Sequence, residues 1–277
     1  MRPIERIVGR VASSVRLKLL AMALVPVAVV VPLALFGLTS WSASFAYDQL
    51  YIKVNTDLAV AHDTFERIKR DELDYLLRLS ESHRFRSAME ANDDAAVRGL
   101  IDELRQRAGF SFLRVIEPGD ETDLPTRASV GIEILGPQQL AAIDPALARF
   151  VELPIVETRR ARPSERTLEQ RGMVIRAHQP VLDGSGRLMA VLDGGVLLNN
   201  NFGFVDQIRD LVYGPGSLPA GSIGTVTVFL DDVRISTNVP RVAGTRALGT
   251  RVSDEVVNAV LDEGRTWIDR AFVVNDW

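Results

Sequence analysis

Residues 171–198 read RGMVIRAHQPVLDGSGRLMAVLDGGVLL, and the fold turns on them. Two apolar-rich runs, 174–182 and 187–198, flank Asp183-Gly184-Ser185-Gly186. Turn formers between such runs predict a β-hairpin. With a four-residue loop, Leu182 faces Arg187, His178 faces Val191 and Arg176 faces Asp193. One face then carries Met173, Ile175, Ala177, Val181, Leu188, Ala190, Leu192 and Val196. It is apolar and is expected to meet helices. The other face carries Val174, Arg176, His178, Met189, Val191 and Asp193. Two readings of it stay open. It is either a half-exposed face with one cross-strand ion pair, worth under about 1 kcal/mol, or a pocket wall with Arg176 ready to pair with a ligand carboxylate. On the second reading the candidate ligand-binding residues are Arg176, His178 and Asp193. A one-residue slip in register would exchange the faces.

Upstream, Tyr47, Tyr51, Val54, Leu58, Ala61, Phe65 and Ile68 alternate by four and three, and Tyr75 and Leu79 extend the seam past Glu72. That spacing predicts a long helix over about 45–80, able to pair with a second copy or to lie on the chain's own body. A second helix is expected from an Asn92 N-cap to Gly109. A strand follows over 110–116, then a short helix over 138–149 and a strand over 150–157. Residues 159–171, RRARPSERTLEQR, read as a solvated loop. Downstream, an amphipathic helix is expected over 203–213. Gly214-Pro215-Gly216-Ser217 breaks the chain, and a second hairpin runs through 224–239 over Asp231-Asp232. A helix capped by Ser253 and a strand over 266–274 complete the pattern. Helices followed by hairpin-linked antiparallel strands make the fold class α+β, with two sheets in series.

Residues 19–38, LLAMALVPVAVVVPLALFGL, hold no charge. Twenty helical residues span about 30 Å, the thickness of a bilayer's hydrocarbon core. Before them stand Arg2, Arg6, Arg10, Arg16 and Lys18 against Glu5, and the next basic residue is Lys53. Positive charge on the N-terminal side keeps that side cytoplasmic and exports the rest. An uncleaved anchor is expected. A cleaved signal peptide has a shorter apolar region and a small-residue cleavage site.

The 277 residues carry a formal net charge of −4, no cysteine and three histidines, His62, His83 and His178. This excludes a disulfide scaffold and thiol chemistry, and advertises no basic face for nucleic acid. No metal site or cofactor is expected. No phosphate-binding loop and no GxSxG elbow is present. The composition points to binding rather than catalysis.

The segments GVLLNNNFGFVDQIRDLVYG, GTVTVFLDDVRISTNV and GTRALGTRVSDEVVNAVLDEGRTWIDRAFVVND closely resemble the periplasmic double-Cache sensor region of bacterial transmembrane receptors. The likeness is best to cache-domain sensor histidine kinases, and 171–195 fits the end of the membrane-distal module. The resemblance covers about 45–277. It implies two PAS-like modules threaded on a long N-terminal helix, a small-molecule ligand such as an organic or amino acid, and a homodimer in the membrane. The organisation it implies is a cytoplasmic tail 1–18, a transmembrane helix 19–40, a stalk helix 41–80, a distal module 81–213 and a proximal module 217–277. Against the family pattern the proximal module is expected to be incomplete. Function is then expected to be the input half of a two-component receptor. A methyl-accepting chemoreceptor is the alternative, and a membrane-anchored envelope hydrolase the competing class.

Overall fold

The computed structural model describes residues 15–119, 124–218, 221, 223–241 and 244–268. In its first helix the side chains at 17, 18, 21, 25, 39, 40, 42–44, 46 and 47 also stand outside the description. The basic tail up to residue 14 and most of the strand expected over 266–274 therefore lie outside the described residues. The chain divides into two units, 1–56 and 57–277.

One helix, α1 (Val15–Glu81), contains Pro26 and Pro32 and runs through both units. In the first unit its described apolar side chains, among them Leu24, Val29, Leu33 and Phe36, are exposed. No helix among the described residues is long and apolar enough to cross a membrane.

In the second unit α2 (His83–Glu90) and α3 (Asp94–Ala108) follow. Asp93, not Asn92, caps α3, its side chain accepting from the Ala96 amide. Asn92 instead takes φ 53° in the turn before it, a conformation asparagine tolerates. Gly109 ends α3 at φ 79°, as expected of a left-handed C-cap. Strand β1 (Phe112–Ile116) then leads to β2 (Ser129–Leu135), which the sequence reading passed over. The helix expected over 138–149 is two, α4 (Pro137–Ile143) and α5 (Pro145–Phe150), broken at Asp144. The strand expected over 150–157 shrinks to β3 (Leu153–Pro154), paired with β4 (Leu168–Glu169). Proline cannot donate to a ladder. The next amides, Ile155 and Val156, bond to Thr167 and Gly249 instead.

The hairpin forms as β5 (Gly172–Leu182) and β6 (Leu188–Leu197). The sheet order is β1-β6-β5-β2, all neighbours antiparallel. The expected apolar face is correct. Ile175, Ala177, Leu192 and Leu113 pack under Leu76 and Leu79 of α1, Phe85 of α2, Ile101 and Leu104 of α3, and α6 (Phe202–Val212). The opposite face is capped at one end by Leu140, Leu147 and Val151 over Phe112, Val174 and Leu197.

After α6 come β7 (Thr227–Leu230) and β8 (Val233–Thr237), a two-stranded sheet. Next is α7 (Asp254–Val257), which continues as a π-helical turn, Asn258–Asp262. The loop 159–171 is not simply solvated. Arg162 donates to Asp254, Asn258 and Asp262, each at 2.7 Å. Glu169, 1% exposed, takes Arg171 and Arg166. The charges of this loop have partners in the C-terminal segment, which sequence periodicity does not reveal.

Candidate functional site

Two corrections define the site. First, the register differs from the four-residue-loop expectation: Arg176 pairs with Gly195 and His178 with Asp193, with a bulge between Val181 and Leu182. The Asp183 carboxylate explains it. It accepts from the amides of Ser185 and Arg187, from the Ser185 hydroxyl and from Arg187 Nε. Those bonds draw Arg187 into the turn, which moves the pairing by one place, and the bulge adds a second, so the strand residues shift past one another by two places. An even shift keeps every side chain on its face. Second, the face is far from half-exposed. Asp193 is fully enclosed, and the side chains of Arg176 and His178 are 14% and 12% exposed.

Asp193 sits at the centre of the sheet. Arg114 on β1 and His178 on β5 flank it directly, and Ser129 on β2 lies opposite His178. The next row reads Phe112, Gly195, Arg176, Gly131. Glycine on both sides of Arg176 leaves its long side chain free to lie diagonally. It reaches Asp193 with two bonds, Nε to Oδ1 at 2.8 Å and Nη2 to Oδ2 at 2.9 Å. Its Nη1 donates to Glu133 of β2 at 2.8 Å. Arg114 Nε donates to Asp193 Oδ2 at 2.8 Å, and His178 Nε2 lies 3.3 Å from Oδ1. The expected Arg176–Asp193 pair is therefore present, across a different register.

Burial alone would push the Asp193 carboxyl up. Hydrogen bonds from Arg176 and His178, with the charges of Arg176 and Arg114, win and hold it well below the usual carboxylate range. The hydrogen bond to Asp193 correspondingly raises the Arg176 guanidinium above its ordinary value. Asp193 is thus a fixed anion. Glu133, 41% exposed, is the accessible partner of Arg176. On the strand beside Arg176, a Cβ at Gly131 would meet nothing within 4 Å.

The structure brings Arg176, His178 and Asp193 together. The sequence reading missed Arg114 and Glu133. The signal for the first is a lone charge inside the apolar run Phe112–Ile116; the second sits in a strand that had not been recognised. Arg114 also lines a cleft of about 820 Å³ between α3 and the sheet edge, with Met89, Val97, Arg98, Leu113 and Met189. Clefts of this size accept small molecules. Among the described residues no group of His, Asp or Glu is arranged to hold a metal ion.

Residues 196–277 match the family model for single cache domain 3. No curated protein sequence matches. Among solved structures, the periplasmic domain of Vibrio cholerae LuxQ is similar, at 13% sequence identity and a TM-score of 0.45, over 73% of this chain and 84% of that one. Residues 196–277 are thus similar to a single cache domain, and that match covers less than half of the chain.

Proposed function

We propose that the chain is the membrane-anchored, extracytoplasmic ligand-sensing region of a signal-transduction receptor, the input half of a sensor histidine kinase. The observation that carries this reading is the Cache match over 196–277. In this reading residues 1–18 are cytoplasmic, 19–40 anchor the chain, and 41–80 form a stalk that pairs with a second copy. Modules 81–213 and 217–277 follow. The anchor is supported by the uncharged run at 19–38 and by its exposed leucines and valines, which water does not tolerate in such number.

The ligand contacts in this reading are Arg176, His178 and Asp193. Asp193 cannot leave, because it is enclosed and holds two arginines. A ligand carboxylate instead displaces the half-exposed Glu133 from Arg176 Nη1 and gains a charge-assisted bond. The class that fits is a small organic or amino acid.

Two experiments test this. A periplasm-active reporter fused at residue 60 should be active; a silent one refutes the topology. A thermal-shift screen of organic and amino acids should find a stabilising ligand, since a ligand at about 100 times its dissociation constant adds about 2.7 kcal/mol. If Glu133→Gln and Arg176→Lys both bind the hit as the unmodified chain does, the site lies elsewhere.

A further inference from the structure

The arginines of the second unit that approach the burial of Arg234 hold carboxylates. Arg176 has Asp193 and Glu133, and Arg251, 12% exposed, has Asp232 at 2.7 Å. Arg234 on β8 differs. It is 5% exposed, and among the described residues no carboxylate pairs with it. Its Nη1 donates to Thr250 Oγ1 at 2.7 Å, and its guanidinium stands 5.1 Å from the Phe229 ring centre. Phe229 is its cross-strand neighbour on β7. Nε is enclosed and has no acceptor among the described residues.

Such a group is costly. A guanidinium presents five donors and stays charged, and an enclosed cation without an anion loses its hydration uncompensated. A ring face returns only part of that. Burial accordingly lowers the Arg234 guanidinium to about 10. The surroundings also orient it. The Arg234 amide donates to the Thr250 carbonyl at 2.9 Å, the Gly249 amide donates to the Arg234 carbonyl at 3.0 Å, and the Thr250 hydroxyl, which receives Nη1, donates to Ala247. The backbone on both sides of the guanidinium is thus tied down, while Nε still has a proton to donate.

We propose that Arg234, with Thr250 and Phe229, forms a second ligand site in the C-terminal segment, which receives a small oxyanion, a carboxylate or a phosphate. The anion accepts from the guanidinium edge that the protein leaves without an acceptor. Because Nε is enclosed, occupancy requires the side chains packed around Arg234 to shift. Anion binding and the packing of the β7–β8 hairpin are therefore linked. This site is separate from the Arg176 cluster, and it stands or falls independently of the sensing role proposed there.

The test is titration of the full chain, in detergent, with sodium acetate and with inorganic phosphate at constant ionic strength set by chloride. Calorimetry should show one site for at least one of the two anions. Arg234→Met, which keeps the volume, should weaken it at least tenfold, whereas Arg107→Ala, at an exposed helical ion pair with Glu103, should leave it unchanged. Acetate alone identifies a carboxylate site, and phosphate alone a phosphate site; either supports the proposal. As a readout independent of any variant's folding, the Arg234 Nε–H resonance of the unmodified protein should move with the titration. No heat and no shift with either anion overturns the proposal. So does binding that Arg234→Met leaves intact.

Discussion

Glu72 is the carboxylate whose position most strongly opposes its charge. It lies in the stripe Phe65, Ile68, Glu72, Leu76, Leu79 that α1 turns toward the sheet, and it is 6% exposed. Its Oε2 has no hydrogen-bond partner among the described residues. Burial, and then repulsion from Asp71, pushes its carboxyl from 4.5 up to about 7. The folded state therefore holds the Glu72 proton more tightly than the unfolded chain. Its contribution to stability is intact below the ordinary carboxylate value and is lost as pH rises through about 7. The difference of about 2.5 pH units corresponds to roughly 3 kcal/mol. Glu72→Gln mimics the protonated acid, so it should match the unmodified protein at about pH 4.5 and exceed it by up to that amount at about pH 8.5. For a body of this size the gain appears as about 6–12 °C in Tm, read by circular dichroism at both pH values. A gain that is absent at high pH, or equal at both, would refute the reasoning.

Three further outcomes are expected. Arg176→Ala leaves Asp193 enclosed with one arginine fewer and should cost about 3–5 kcal/mol, where a surface pair would cost under about 0.5 kcal/mol; denaturant unfolding decides between them. Gly195→Ala places a Cβ 2.4 Å from the Phe112 ring and 2.7 Å from Val174 Cγ1. Overpacking there should cost about 1–3 kcal/mol in the same assay, and a neutral effect would mean that β1 is looser than its packing indicates. Amide-exchange protection should be weaker in 227–237 than in 172–197. The C-terminal pair is a two-stranded sheet, whereas β5 and β6 are interior strands of a four-stranded one. Equal protection would count against that ranking.

The hairpin and its apolar face were legible because period-two alternation and turn chemistry are local. Its register was not, because the Asp183 side chain reorganises the turn in a way that counting loop residues ignores. Strand β2 escaped although Val130, Ile132 and Ile134 alternate before Gly136-Pro137. As an edge strand it keeps Ile132 and Ile134 partly exposed, so no continuous apolar run advertised it. At the site, the pair Arg176–Asp193 followed from one hairpin. Arg114 and Glu133 needed the strand order, which is a non-local fact. The arginine loop is largely exposed, as expected, but its partners were hidden for the same reason: Arg162 finds its acids about 90 or more positions downstream.

That loop bears on how this chain can be recombined. A chimera cut at 214–217, where glycine and proline invite a junction, would keep Arg162 and discard Asp254, Asn258 and Asp262. It would also separate Arg171 from Asp231 and Val156 from its Gly249 acceptor. Gly249 itself, at φ +73°, has room for no Cβ: one would lie 2.1 Å from the Pro154 carbonyl oxygen. A foreign C-terminal cassette would thus need glycine at that place and acids matching the loop. Grafts that carry residues 153–171 together with everything after 217 respect the interlock, and those that split at the obvious linker do not.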